Sequence, residues 1–200
     1  MSNIQAEKIL LHTCCGPCAE YPVQELLAAD YAPTLYYFNP NIQPQVEWQR
    51  RYESLQKFSE ITDLPLIAEG SSETGRWLEI ESSGIDRCRY CYETRLEKAA
   101  QFAHSHGFPV FTTTLLVSPY QQRDLIIEAG RKLAAKYGLE FLAADWRPGY
   151  RQGQQMAREH GLYRQRYCGC IISLGESSFK DKIKKEHDQL IRSLDKAKNS

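Results

Sequence analysis

The chain sets short apolar runs apart from longer polar segments that carry their apolar residues at helical spacing. Residues 8–13 (KILLHT) predict a short buried strand, and the apolar positions of residues 22–30 suit a helix behind it. Residues 34–38 (TLYYF) are rich in β-formers and predict a second strand. The polar segment 44–63 spaces Val46, Tyr52, Leu55, Phe58 and Ile61 as a helix does. Residues 64–68 (LPLIA) predict a third strand, 89–106 a helix closed by Gly107, and 110–114 (VFTTT) a fourth strand. A long amphipathic helix over 120–137 ends at Gly138 and leads to a fifth strand over 140–144. This alternation predicts an α/β fold, an open, mostly parallel sheet with helices on both faces (Rossmann-like). We expect one catalytic domain over 1–175. Residues 176–200 are dense in Lys, Glu and Asp, with a weak apolar period at Ile183, Leu190 and Leu194, and predict a charged helical C-terminal appendage.

Composition narrows the class. At 200 residues, 42% hydrophobic and 25% charged, the chain suits one globular domain and excludes disorder, collagen and coiled coil. Lys plus Arg and Asp plus Glu are 25 each, so a globally basic nucleic-acid binder is excluded while a local basic patch is not. No apolar run has membrane-helix length, and MSNIQAEKIL lacks a basic and then apolar leader, so neither membrane nor secretion is expected.

The seven cysteines change the picture most. An odd number without a leader argues against a disulfide framework and for a reducing cytoplasm. They fall in three tight groups: Cys14, Cys15 and Cys18; Cys88 and Cys91; Cys168 and Cys170. Such clustering points to a metal or redox site. In His12-Thr13-Cys14-Cys15-Gly16-Pro17-Cys18 the adjacent thiols can face one cluster or two neighbouring metals, and Pro17 can open a helix whose N-terminus favours thiolate. Cys88-Arg89-Tyr90-Cys91 alone is ambiguous between zinc, iron–sulfur and thioredoxin-like chemistry. Cys14, Cys15, Cys88 and Cys91 together match the ligand count of a 4Fe–4S cluster. Cys168-Gly169-Cys170 suits either a strained, reducible disulfide or further metal ligands.

Ligands of open parallel sheets sit beyond the carboxyl ends of the strands. Cys14 and Cys15 follow the first predicted strand, Asn39 and Asn41 the second, Ser118 and Tyr120 the fourth, and Asp145 and Arg147 the fifth. Arg147, Arg151, Arg158, Arg164 and Arg166 are interleaved with Trp146, Tyr150, Tyr163 and Tyr167. That is the mixture splayed RNA requires, and it equally describes a solvated helix face with packing aromatics.

LLHTCCGPC (10–18), FNPNIQP (38–44), RCRYCYETRL (87–96), FTTTLLVSPY (111–120) and GLYRQRYCGC (161–170) jointly resemble the epoxyqueuosine reductase family QueH. The resemblance implies a cobalamin-independent oxidoreductase of tRNA processing: the two-electron deoxygenation of epoxyqueuosine to queuosine in tRNA, the last step of queuosine biosynthesis. It implies a 4Fe–4S cluster on Cys14, Cys15, Cys88 and Cys91, with an additional mononuclear iron for which Cys18 and Asp145 are candidates. It further implies a redox-active disulfide between Cys168 and Cys170, with these two and Asp145 as the catalytic set. The expected partners are tRNA carrying epoxyqueuosine and an external electron donor, with no DNA. Arg147, Arg151, Tyr163, Arg164 and Arg166 are the expected RNA contacts. Two alternatives stand beside this reading: a thiol–disulfide or tRNA-thiolation enzyme, and a zinc-stabilised RNA-binding module.

Overall fold

The structure, a computed structural model, describes residues 6–82 and 86–198. Five strands, β1 (Glu7–His12), β2 (Tyr31–Tyr37), β3 (Leu66–Ala68), β4 (Val110–Thr113) and β5 (Glu140–Phe141), form one sheet in the order β3-β2-β1-β4-β5. Every pairing is parallel. Ile9, Leu10 and Leu11 are fully buried, as a central strand covered on both faces requires. The chain leaves β1 toward β2 and β3 and later returns on the other side to β4, so the switch point lies beyond the carboxyl ends of β1 and β4. Crevices at such points hold ligands, and Cys14 is two residues past the end of β1.

The helices are α1 (Gly16–Ala28), α2 (Gln45–Thr62), α3 (Thr74–Ser82), α4 (Arg87–Ser105), α5 (Arg123–Tyr137), α6 (Tyr150–Glu159), α7 (Ile171–Glu176) and α8 (Lys180–Lys198). Gly107 and Gly138, both at positive φ, close α4 and α5 where expected. Helix α1 starts six residues earlier than the apolar pattern suggests: Pro17 opens it, and Pro22 lies inside it. Helices α3, α6 and α7 have no counterpart in the sequence reading, and the fifth strand pairs over only two residues. The C-terminal segment is helical as expected, but it is anchored. Ile183 and His187 of α8 are buried, while Ile191 and Leu194 face solvent. No helix of the described residues is long and apolar enough to cross a membrane.

Candidate thiol-lined active site

The β1–α1 turn brings three sulfurs together. Cys14, Cys15 and Cys18 are all buried, and their Sγ atoms lie within 4.8 Å of one another. Cys14 is pinned from the far side of the switch point: its N–H donates to Thr114 Oγ1 at 3.2 Å, and that hydroxyl lies 3.5 Å from Cys14 Sγ. Hydrogen bonds from Cys15 and Cys18 hold Cys14 well below the usual thiol range, whereas burial raises Cys15 and the bond to Cys14 raises Cys18. Of the three thiols, Cys14 alone is held low. Gly16 serves close approach here, its φ lying outside the left-handed region. A Cβ on Gly16 would stand 2.6 Å from the Ser54 carbonyl oxygen of α2. Gly16→Ala should push α1 off α2 and cost about 1–3 kcal/mol, read as a lower urea midpoint. An unchanged midpoint would mean that the two helices can part freely.

His12 and Thr113 fasten the same corner. His12 Nε2 lies 3.2 Å from the Phe38 carbonyl, and Nδ1 lies 2.8 Å from Thr113 Oγ1, which also accepts from the Leu115 N–H. Nε2–H as donor and Nδ1 as acceptor satisfy all three contacts. Burial, helped by the nearby Arg95 charge, lowers the imidazole to about 3, so it is neutral.

Helix α4 carries the second group. Its first turn is capped by Asp86, which accepts from the Cys88 and Arg89 N–H groups. Cys91 is buried in a cluster with Trp77, Cys170 and Ile172, and burial pushes its thiol up to about 12. The arginines flanking Cys88 turn to carboxylates, Arg87 to Glu176 and Arg89 to Glu128, each at 2.7 Å. One turn further on, Arg95 is 2% exposed. It donates to Asn39 Oδ1 at 2.7 Å and lies 3.7 Å from Cys91 Sγ, while Asn39 donates to the Thr13 carbonyl. Among the described residues no carboxylate pairs with Arg95, and its Nε has no partner. The Arg95 charge helps to hold the Cys14 thiol down, while the nearer Cys91 thiol is held up by its burial.

The third group is clamped by its backbone. Arg51 donates to the carbonyls of Cys168 at 2.9 Å and Tyr167 at 3.0 Å, and the Gln43 N–H donates to the Gly169 carbonyl. Gly169 has φ +134°, open to glycine alone without strain, and Ile42 and Arg51 crowd the space a Cβ would take. Both thiols are free. Gln121 links this loop to the strand ends: it donates to Cys168 Sγ at 3.5 Å and accepts from the Tyr92 hydroxyl at 2.8 Å. Arg51 is itself held by Glu47 at 2.8 Å. That carboxylate also accepts from Tyr163 and stands 3.1 Å from His187 Nε2 of α8.

All three groups meet at one cleft of about 440 Å³, walled by Cys14, Cys18, Cys88, Cys168 and Cys170. Cys15 stands beside Cys14 at 3.7 Å, and Cys91 packs with Cys170. Cys18 thus joins Cys14 and Cys15 rather than standing apart. Asp145 lies outside the cleft wall, on the exposed loop after β5, with its carboxylate held by Arg147 at 2.6 Å. Of the arginine–tyrosine stretch only Arg166, with Tyr150 and Tyr167, reaches the wall, and Arg166 is paired with Glu186 of α8. Tyr163 serves the buried Glu47, under the Arg50 guanidinium. Arg164 leans on Gln154, and Arg151 is exposed on α6. The sequence reading missed Arg51, Arg95 and Glu47 because a charged residue at helical spacing reads as a solvated face.

Seven gathered thiols at the switch point of a parallel sheet define a thiol-centred α/β protein of the metal-binding or redox class. The chain belongs to the epoxyqueuosine reductase QueH family, whose model matches residues 9–176. It is 36% identical over 169 residues to the epoxyqueuosine reductase QueH of Dehalococcoides mccartyi, covering 84% of this chain and 93% of the relative. The Thermotoga maritima protein of that name is 34% identical over 178 residues, covering 84% and 91%. That of Haemophilus influenzae is 34% identical over 181 residues, covering 86% and 73%. Among solved structures, a predicted subunit of tRNA methyltransferase from Methanocaldococcus jannaschii matches over 76% of each chain, with TM-score 0.53 and 12% identity, a likeness of fold alone.

Proposed function

We propose that this chain is a tRNA-modifying oxidoreductase that removes the epoxide oxygen of epoxyqueuosine in tRNA to leave the cyclopentene of queuosine. The observation that carries the reading is the convergence of all three cysteine groups on one cleft, beside the buried Arg95 guanidinium, which pairs with no carboxylate among the described residues. The donor set fits an iron–sulfur centre. Soft thiolates at this density select iron or zinc over oxygen-seeking ions, and Arg95 offsets the negative charge such a centre carries. In this reading Cys14, Cys15, Cys88 and Cys91 hold a 4Fe–4S cluster. Cys18, whose sulfur lies near those of Cys14 and Cys15, serves an additional mononuclear iron. Asp145, turned to Arg147, is left out of the ligand set. When bound, the centre supplies low-potential electrons and a Lewis acid for the leaving oxygen.

The reaction consumes two electrons and two protons: both C–O bonds of the epoxide break, a C=C bond forms, and the oxygen leaves as water. Oxidation of the Cys168–Cys170 dithiol to a disulfide releases that number of each. Arg51 and Gln43 hold the loop backbone, and Gln121 orients the Cys168 sulfur on the cleft wall. An external electron donor then resets the pair in the cytoplasm. The exposed Arg147, Arg151 and Arg164, with Arg166 on the cleft wall, meet tRNA phosphates.

Reduced holoenzyme is to be reacted once with epoxyqueuosine-tRNA, acid-quenched and alkylated, with nucleoside and peptides measured by mass spectrometry. Queuosine should appear together with a Cys168–Cys170 peptide that resists alkylation. Product accompanied by two alkylated thiols would make these residues ligands rather than electron carriers. No queuosine at all would overturn the assigned reaction.

A further inference from the structure

The arginine-rich stretch leaves unexplained how a base is presented to the thiols, and the turn after β4 supplies what that task needs. Tyr120 is 81% exposed, far more than any other large apolar or aromatic side chain described, yet it stands on the wall of the thiol-lined cleft. Solitary surface tyrosines are common; one at a reactive cleft and fixed in place is not explained by packing. The Tyr150 ring meets it at 85° and 5.9 Å between centroids, and the Tyr120 N–H donates to Ser118 Oγ. Its neighbour Gln121 touches Cys168 Sγ. Two residues on, Gln122 lines the same cleft; its backbone N–H donates to Tyr92, and its side-chain amide has no protein partner among the described residues. An aromatic face and a free amide within one turn, adjoining a thiol, are the elements of nucleobase recognition: stacking on the ring and hydrogen bonding at the base edge.

We propose that Tyr120 and Gln122 form the subsite for the base of the modified nucleoside. The extruded base stacks on Tyr120, Gln122 addresses its edge, and Gln121 ties the subsite to Cys168. This rests on the reaction assigned above and adds the residues that choose its substrate. Specificity is thereby divided, with arginines on phosphate and the Tyr120 turn on the base.

The test uses metal-loaded enzyme, intact tRNA carrying epoxyqueuosine, and the same tRNA with unmodified guanosine at that position. Loss of a stacking face weakens binding by about tenfold or more, so Tyr120→Ala should raise Kd and KM by that factor at near-constant kcat. Tyr120→Phe should restore both. Gln122→Ala should narrow the preference for the modified tRNA over the unmodified one. Because both side chains are exposed, the variants should keep wild-type iron content and melting temperature. Wild-type Kd and KM in Tyr120→Ala would overturn the subsite, as would a Phe variant no better than Ala. Wild-type enzyme that binds the tRNA through Tyr120 without converting it would count against the assigned reaction and leave the subsite standing.

Discussion

Anaerobically purified Cys14→Ser protein should lose its iron and acid-labile sulfide by about tenfold or more relative to wild type, and its turnover with them. Cys14 is the hub of the first thiol group. It receives hydrogen bonds from Cys15 and Cys18, is pinned by Thr114, and is the one sulfur of the three held well below the ordinary thiol range. A serine hydroxyl there stays protonated at neutral pH and offers iron no soft anion. Cys15→Ser, Cys88→Ser and Cys91→Ser should behave alike. Cys168→Ser should instead keep its iron while losing turnover, because that thiol lines the cleft as half of the proposed electron-carrying pair. Metal and sulfide analysis of the five variants separates the two roles. Full iron in Cys14→Ser would remove that residue from the ligand set, and an iron-free Cys168→Ser would add one.

Glu47→Ala should lower stability by about 3–5 kcal/mol. The Glu47 and Arg51 side chains are 0% and 1% exposed, and the carboxylate is the shared partner of Arg51, Tyr163 and His187. Truncation leaves a guanidinium buried without its counter-charge, which costs more than the pair itself contributes. Replacing both residues by methionine should recover much of that loss, while the carbonyls of Tyr167 and Cys168 go without their clamp. Urea unfolding then separates stability from loop geometry, and the rate of Cys168 alkylation reads the latter. A single variant as stable as wild type would show that water reaches Arg51. Acid adds a check of sign. Burial works to raise the Glu47 carboxyl, but Arg51, with the bonds from His187 and Tyr163, outweighs it and holds the group at about 2. Its stabilisation is therefore fully present above the ordinary carboxyl range and is lost as pH falls toward 2. The gap between wild type and Glu47→Ala should shrink over that interval.

How far the chain could be read depended on how local each cause is. Residues 9–11 and 35–37 are consecutive β-formers because β1 and β2 are buried on both faces, so their pattern survives without context. Gly107 and Gly138 stop helices by a property of one residue. Helix α6 was invisible for the opposite reason. It meets α1 through Gly153, close to the backbone of Tyr21, and presents little apolar surface of its own. Within the site, the thiols were legible because their spacings are short. The partners that organise them, Arg51, Arg95 and Asn39, are set by contacts between distant segments: Arg51 reaches Cys168 across 117 positions. The five-residue RNA set mixed unlike roles for the same cause. Tyr163 serves a buried carboxylate and Arg166 an ion pair with α8, while the most exposed aromatic, Tyr120, lies in another segment.

The scattering of the thiols along the chain has a consequence for how the protein is made. Synthesis runs from the amino terminus, so Cys14, Cys15 and Cys18 emerge first and Cys168 and Cys170 near the end. The clamp on the last pair is completed only when His187 reaches Glu47. Throughout translation the early cysteines wait without the wall that later shelters them, at their most open to oxidants. The cleft therefore closes late, and a chain stalled before residue 168 leaves the earlier thiols without its last wall.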